Sequence, residues 1–176
     1  MIYPSNPLDP RPIIFSSSKS KTSSHLTINF NQEKTKMSIM QKLAWAYAVM
    51  FVITASLSYI PGLTDADGMM FGLFSLQLHD DLLHLGSGIW AAIAAYLSPR
   101  ASTLYFKIFG IMYSLDGVMG LFLGQGYLDA GIYFYGITPL PLTTRIFANL
   151  PHILIGGAAV FAGFVLSRQA EKVRAV

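Results

Sequence analysis

From Leu43 to Ile60 the chain runs without a charge, with Thr54, Ser56 and Ser58 its only polar residues, and it stops at Pro61-Gly62. A stretch of that length reads as a membrane span, because about 20 residues at 1.5 Å each cross roughly 30 Å of hydrocarbon. Three further largely apolar runs follow: about 78–97, with a polar head of His79, Asp80, Asp81 and His84 in its first two turns and closed by Ser98-Pro99; about 103–124, with Lys107 near its start and Asp116 inside it; and about 146–166, with Asn149, Pro151 and His152 near its start. Charged side chains make up 12% of the sequence, about half the ~25% of an ordinary soluble domain. Lipid rather than a protein interior is therefore the expected surrounding of these runs. The fold class is all-α, a four-helix transmembrane bundle.

Orientation follows from the short flanks, where Lys and Arg mark the cytoplasmic side. Lys34, Lys36 and Lys42 precede the first run, Arg100 and Lys107 lie around the second turn, and Arg168, Lys172 and Arg174 follow the fourth. The opposite side carries Arg145 with Asp65, Asp67 and Asp129. Both termini are predicted cytoplasmic, in a bacterial inner membrane. The basic residues stand singly and form no stripe, so the net charge of +3 sets topology and gives no reason to expect nucleic acid as a partner.

Three segments are expected: a disordered or over-extended tail over 1–36, the helical domain over 37–167, and a short basic tail over 168–176. The first has Pro4, Pro7, Pro10, Pro12 and a serine run with no sustained apolar period. The loops from Pro61 to Gln77 and from Gln125 to Thr144, nearly uncharged, are expected on the outer membrane surface or folded over the helices.

The two halves of the domain repeat. Asp81, His84 and Gly88 recur as Asn149, His152 and Gly156 at an offset of 68, and the stripe continues through Ala91 and Ala95 as Ala159 and Gly163. These spacings lie on one helical face. Tyr47 and Tyr113 match at an offset of 66. The pattern predicts two tandem hairpins inserted the same way round, with the Gly and Ala stripes as helix-packing faces.

The run His79-Asp80-Asp81-Leu82-Leu83-His84 with Gly88, and Asn149-Leu150-Pro151-His152 with Gly156, resemble a family of small four-helix bacterial membrane proteins defined only as a domain of unknown function. The resemblance spans about Met37 to Ser167. This chain has Asp80 where the family pattern has Asn, and Ala148-Asn149 in place of an Asp-Asn pair. The resemblance implies fold and membrane location and implies no particular chemistry.

Asp116 falls near mid-bilayer, where a charged Asp costs roughly 2.5 to 3.5 kcal/mol. It must face inward or be protonated, for example against Tyr113 or Tyr47. At 1.5 Å per residue, His84 and Asp116 lie at nearly equal depth, about 9 and 12 Å below one surface, and His152 enters close to them. His84, His152, Asp116, Asp81 and Asn149 thus form a candidate polar cluster for a metal, a b-type haem, a proton or a lipophilic cofactor. His79, Asp80 and His84 form a second candidate metal set. The blander account makes Asp81 and Asn149 helix caps and assigns no cofactor.

The absence of cysteine excludes thiolate ligands, thioether-attached haem and a cysteine nucleophile. No P-loop, dinucleotide fingerprint, zincin motif or nucleophile elbow occurs. The favoured reading is therefore a non-enzymatic membrane module or accessory subunit, embedded in the bilayer, whose small-residue faces suit a homo-oligomer or a membrane-protein partner.

Overall fold

A computed structural model describes residues 37–174 apart from Gly68 and Leu76. The segment 1–36 expected as a tail, and the last two residues of the basic C-terminal tail, lie outside these.

The described chain is mostly helical. It runs α1 (Ile39–Ser56), a 3₁₀ turn (Leu57–Tyr59), a two-stranded antiparallel ribbon of β1 (Met69–Met70) and β2 (Phe74–Ser75), α2 (Leu78–Leu97), α3 (Pro99–Leu123), the short α4 (Gly131–Tyr135), α5 (Leu142–Phe161), a π-helical turn (Ala162–Leu166) and α6 (Ser167–Arg174). Three stretches are long and apolar enough to cross a membrane: Ile39–Tyr59, Pro99–Leu123 and Leu142–Ala170.

The helix starts follow from local chemistry. Ser38 and Gln41 exchange side-chain and backbone hydrogen bonds at 3.2 Å each, a reciprocal cap that satisfies two orphan N–H groups. Ser98 closes α2 and caps α3, its Oγ accepting from the Ala101 N–H at 3.1 Å, with Pro99 in the first turn, where a missing N–H does no harm. The α2–α3 corner is therefore a single residue. Gly124 ends α3 at φ 83°, the left-handed conformation that favours glycine at a helix end.

Several expected boundaries move. α1 begins at Ile39 rather than near Leu43, and α3 begins at Pro99 rather than near Thr103. α5 begins at Leu142 rather than near Ile146, so Pro151 is interior to it and removes the hydrogen bond to the Phe147 carbonyl. The reading of Asp81 and Asn149 as caps is overturned as well. Gln77 caps α2 with Asp80 returning the bond, and Asn149 stands in the middle of α5.

Outward faces are apolar throughout: Val49, Ile53, Leu82, Ile93, Leu104, Leu115 and Leu154 are all more than half exposed. Inward faces carry small residues and a ladder of aromatics, Phe51, Tyr105, Phe106, Phe109 and Tyr113, each no more than 3% exposed. This is the reverse of a soluble helix, whose exposed face is polar. α1 packs mainly on α2 and α3 mainly on α5, while α3 also touches α1 and α2.

The small-residue stripes sit in these contacts. Ala91, Ala95 and Ala159 are at most 1% exposed. A Cβ on Gly88 would lie 3.2 Å from the Ala48 carbonyl oxygen, one on Gly156 2.5 Å from the Ser114 nitrogen, and one on Gly163 2.8 Å from the Lys107 nitrogen. The Gln41 amide spans α1 and α2 by donating to the Ala95 carbonyl at 2.9 Å.

Candidate functional site

Four buried or partly buried side chains from three helices form a continuous line across the interior. The Nε2 of His84 on α2 lies 3.1 Å from the Tyr113 hydroxyl on α3. The Tyr113 ring stacks on the His152 imidazole of α5 with centroids 4.4 Å apart. His152 Nδ1 then meets Asp116 Oδ2, back on α3, at 2.8 Å. The two histidine rings are 6.0 Å apart, edge to face.

Asp116 is 1% exposed, and its charge is answered from a direction that helix periodicity does not reveal. The chain after α3 folds back so that the backbone N–H groups of Tyr127 and Leu128 both donate to Asp116 Oδ1, at 2.7 and 2.9 Å. A Cβ on Gly126 would lie 2.6 Å from that oxygen, so glycine is what lets the backbone approach. The Tyr127 hydroxyl anchors the loop by donating to the Met112 carbonyl at 2.8 Å; burial raises its pKa above the usual 10. The alternative partners for Asp116 are engaged elsewhere: Tyr113 faces His84, and the Tyr47 hydroxyl donates to the Ile155 carbonyl at 2.9 Å.

With Asp116 ionised, Oδ2 accepts as Oδ1 does, and His152 Nδ1 is then the N–H donor at 2.8 Å, which leaves Nε2 as the free edge of the ring. A carboxylate–imidazole pair of this kind orients a histidine toward a metal or a proton. On the other side His84 is 4% exposed, and its Nδ1 has no hydrogen-bond partner among the described residues.

Both histidines line a cavity of about 450 Å³ at the end of the helices where the connections 61–77 and 124–141 lie. Its walls are largely apolar, including Phe51, Met70, Phe147 and Ile155, and its polar lining includes Gln77, His79, Asp80 and Asp129. At the opposite end, Arg100 and Lys107 border a groove with Ser38, Pro99 and Ser167.

The sequence-derived candidates divide accordingly. His84, His152 and Asp116 come together. Asp81 lies outside their line, with Oδ2 accepting from the Ser58 hydroxyl at 2.9 Å. Asn149 lines the cavity but donates to the Arg145 carbonyl of its own helix at 2.9 Å. The set His79, Asp80 and His84 is corrected: the third carboxyl or imidazole beside His79 and Asp80 is Asp129, because His84 lies a turn deeper with its Nε2 on Tyr113.

Sequence reasoning missed three members: Tyr113 as the link between the histidines, Asp129, and the returning N–H groups of Tyr127 and Leu128. Tyr113 carried a signal, since it stands three residues before Asp116 and so shares its face. No local pattern marks the other two. No family model, curated protein or solved structure matches the chain.

Proposed function

We propose that this chain is an integral membrane protein with four spans in two tandem hairpins, both termini cytoplasmic, that works without catalysis as a module holding a small lipophilic ligand over the His152–Asp116 pair. Support for a fourth span in α2 comes from its apolar outer face, which would otherwise meet water. The repeat is supported by equivalent contacts. Gly88 against Ala48 corresponds to Gly156 against Ser114, and Ala95 against Gln41 corresponds to Gly163 against Lys107, at the offsets of 68 and 66 found in the sequence. The family resemblance, the bacterial inner-membrane location and the lipid partner belong to the same proposal.

The observation that carries the ligand reading is His152 itself, held at Nδ1 by the buried Asp116 carboxyl group and lining a largely apolar cavity. Such an arrangement takes a molecule with an apolar body and one O–H or N–H group. The small-residue faces favour this reading over a scaffold that docks partners through them, because Gly88, Gly156 and Gly163 are already covered within the chain. A partner or second copy would have to use the exposed apolar faces instead.

Purification in mild detergent followed by native mass spectrometry tests the proposal. The wild-type chain is expected to carry an organic adduct that His152→Ala lacks while keeping its helical content. A wild-type chain that carries none, and is not thermally stabilised by extracted membrane lipids and quinols, overturns it.

A further inference from the structure

A second cluster lies at the edge of the same cavity, apart from the His152–Asp116 pair. His79 and Asp80 stand in the first turn of α2, and Asp129 lies just before α4. His79 Nε2 is 3.9 Å from Asp80 Oδ1 and 3.8 Å from Asp129 Oδ2, and one ligand atom from each residue lies within 4.8 Å of the other two.

Both carboxylates are aimed. Asp80 Oδ2 accepts from the Gln77 N–H at 2.8 Å, and Asp129 Oδ1 accepts from the Gly131 N–H at 2.9 Å, so each presents its other oxygen to the imidazole. This is the supporting arrangement that orients metal ligands. Among the described residues no Lys or Arg forms an ion pair with either carboxylate.

A second, independent feature points to an occupant of this cavity. His84 lies four residues after Asp80, hence on the same face of α2. It is 4% exposed and lines the cavity with His79, Asp80 and Asp129, yet its Nδ1 is unpartnered. A buried nitrogen of that kind is unfavourable unless something polar reaches it.

We propose that His79, Asp80 and Asp129 hold a divalent transition-metal cation, with Zn²⁺ the best match to one imidazole and two carboxylates. The present spacings are slightly wider than the roughly 3.4 Å between neighbouring donors of a tetrahedral zinc site, so small side-chain rotations close the site. Three protein ligands leave at least one coordination position for water or for an oxygen or nitrogen of a cavity ligand. The proposal goes beyond the ligand reading and stands without it.

The test uses the full chain, free of a polyhistidine tag, purified in detergent, stripped with chelator and dialysed against graded Zn²⁺, with bound zinc read by elemental analysis. One zinc per chain is expected, with affinity weakened about tenfold or more in Asp129→Asn and in His79→Gln, and unchanged in Asp67→Asn. His152→Ala is expected to keep its zinc, which separates this outcome from that of the organic ligand. Each variant is checked for fold by circular dichroism and size exclusion. Absence of saturable zinc in the wild type overturns the proposal, as does wild-type affinity in either cluster variant that folds.

Discussion

His152 Nδ1 lies 2.8 Å from Asp116 Oδ2, and the other oxygen of that carboxylate accepts two backbone N–H groups from the loop that follows α3. One buried charge thus ties α5 to α3 and α3 to its own loop.

The tautomer of His152 depends on that charge. In Asp116→Asn the amide keeps an oxygen for the two N–H groups but turns its NH₂ toward Nδ1, so the ring hydrogen is expected to move to Nε2. Nitrogen-15 chemical shifts of labelled histidine in micelles read this directly. A protonated Nδ1 and bare Nε2 in the wild type should exchange roles in the variant; identical spectra would show that Asp116 does not set the tautomer.

Removing the carboxyl altogether has a larger effect. Asp116→Ala leaves two backbone N–H groups and the His152 N–H without their acceptor, and is expected to cost about 3 kcal/mol or more. Unfolding of wild type and variant in mixed micelles measures it. A loss below about 1 kcal/mol would mean that water replaces the carboxylate.

Neighbouring glycines on α5 should behave oppositely. In Gly156→Ala the new methyl meets the Ser114 backbone at 2.5 Å, so α3 and α5 must separate, at about 1–3 kcal/mol. In Gly157→Ala it meets nothing within 4 Å, and the higher helix propensity of alanine should leave stability unchanged or raise it by up to about 1 kcal/mol. Melting temperatures of the two variants in detergent decide the matter, and equal losses would contradict the α3–α5 contact.

Topology has its own check. A cytoplasm-active reporter fused after Val176 is expected to be active, and a reporter active only outside is expected to work when inserted at Asp65 or after Gly136. Activity of the outside reporter at the C-terminus would overturn the predicted orientation.

Much of the helical layout is legible in the sequence. The bounds of α2 follow from Ser98-Pro99 at one end and the polar head at the other, and agree with the structure. The start of α5 did not, because Thr143, Thr144 and Arg145 read locally as loop, whereas packing against α3 continues the helix through them. The start of α3 differs for another reason: Ser98-Pro99 both ends α2 and begins α3, so the helix starts at Pro99 and not near Thr103.

The site divides the same way. Depth counting along α2 and α3 brings His84 and Asp116 level, since rise per residue is fixed by backbone geometry. The partners of Asp116 could not be found so, because they are backbone groups of a returning loop and carry no side-chain signature. Asp129 escaped notice similarly: its distance from His79 is set by the fold of that loop and by nothing periodic.

Gly126 has a consequence for biogenesis. The N–H groups that it admits to Asp116, and the imidazole opposite, are all translated after α3. When that helix first leaves the ribosome its carboxyl group has none of them, so the contacts that hold Asp116 in the folded chain form only once residues 126–128 arrive, and the pairing with His152 waits for α5. The order of synthesis thereby sets an order of assembly.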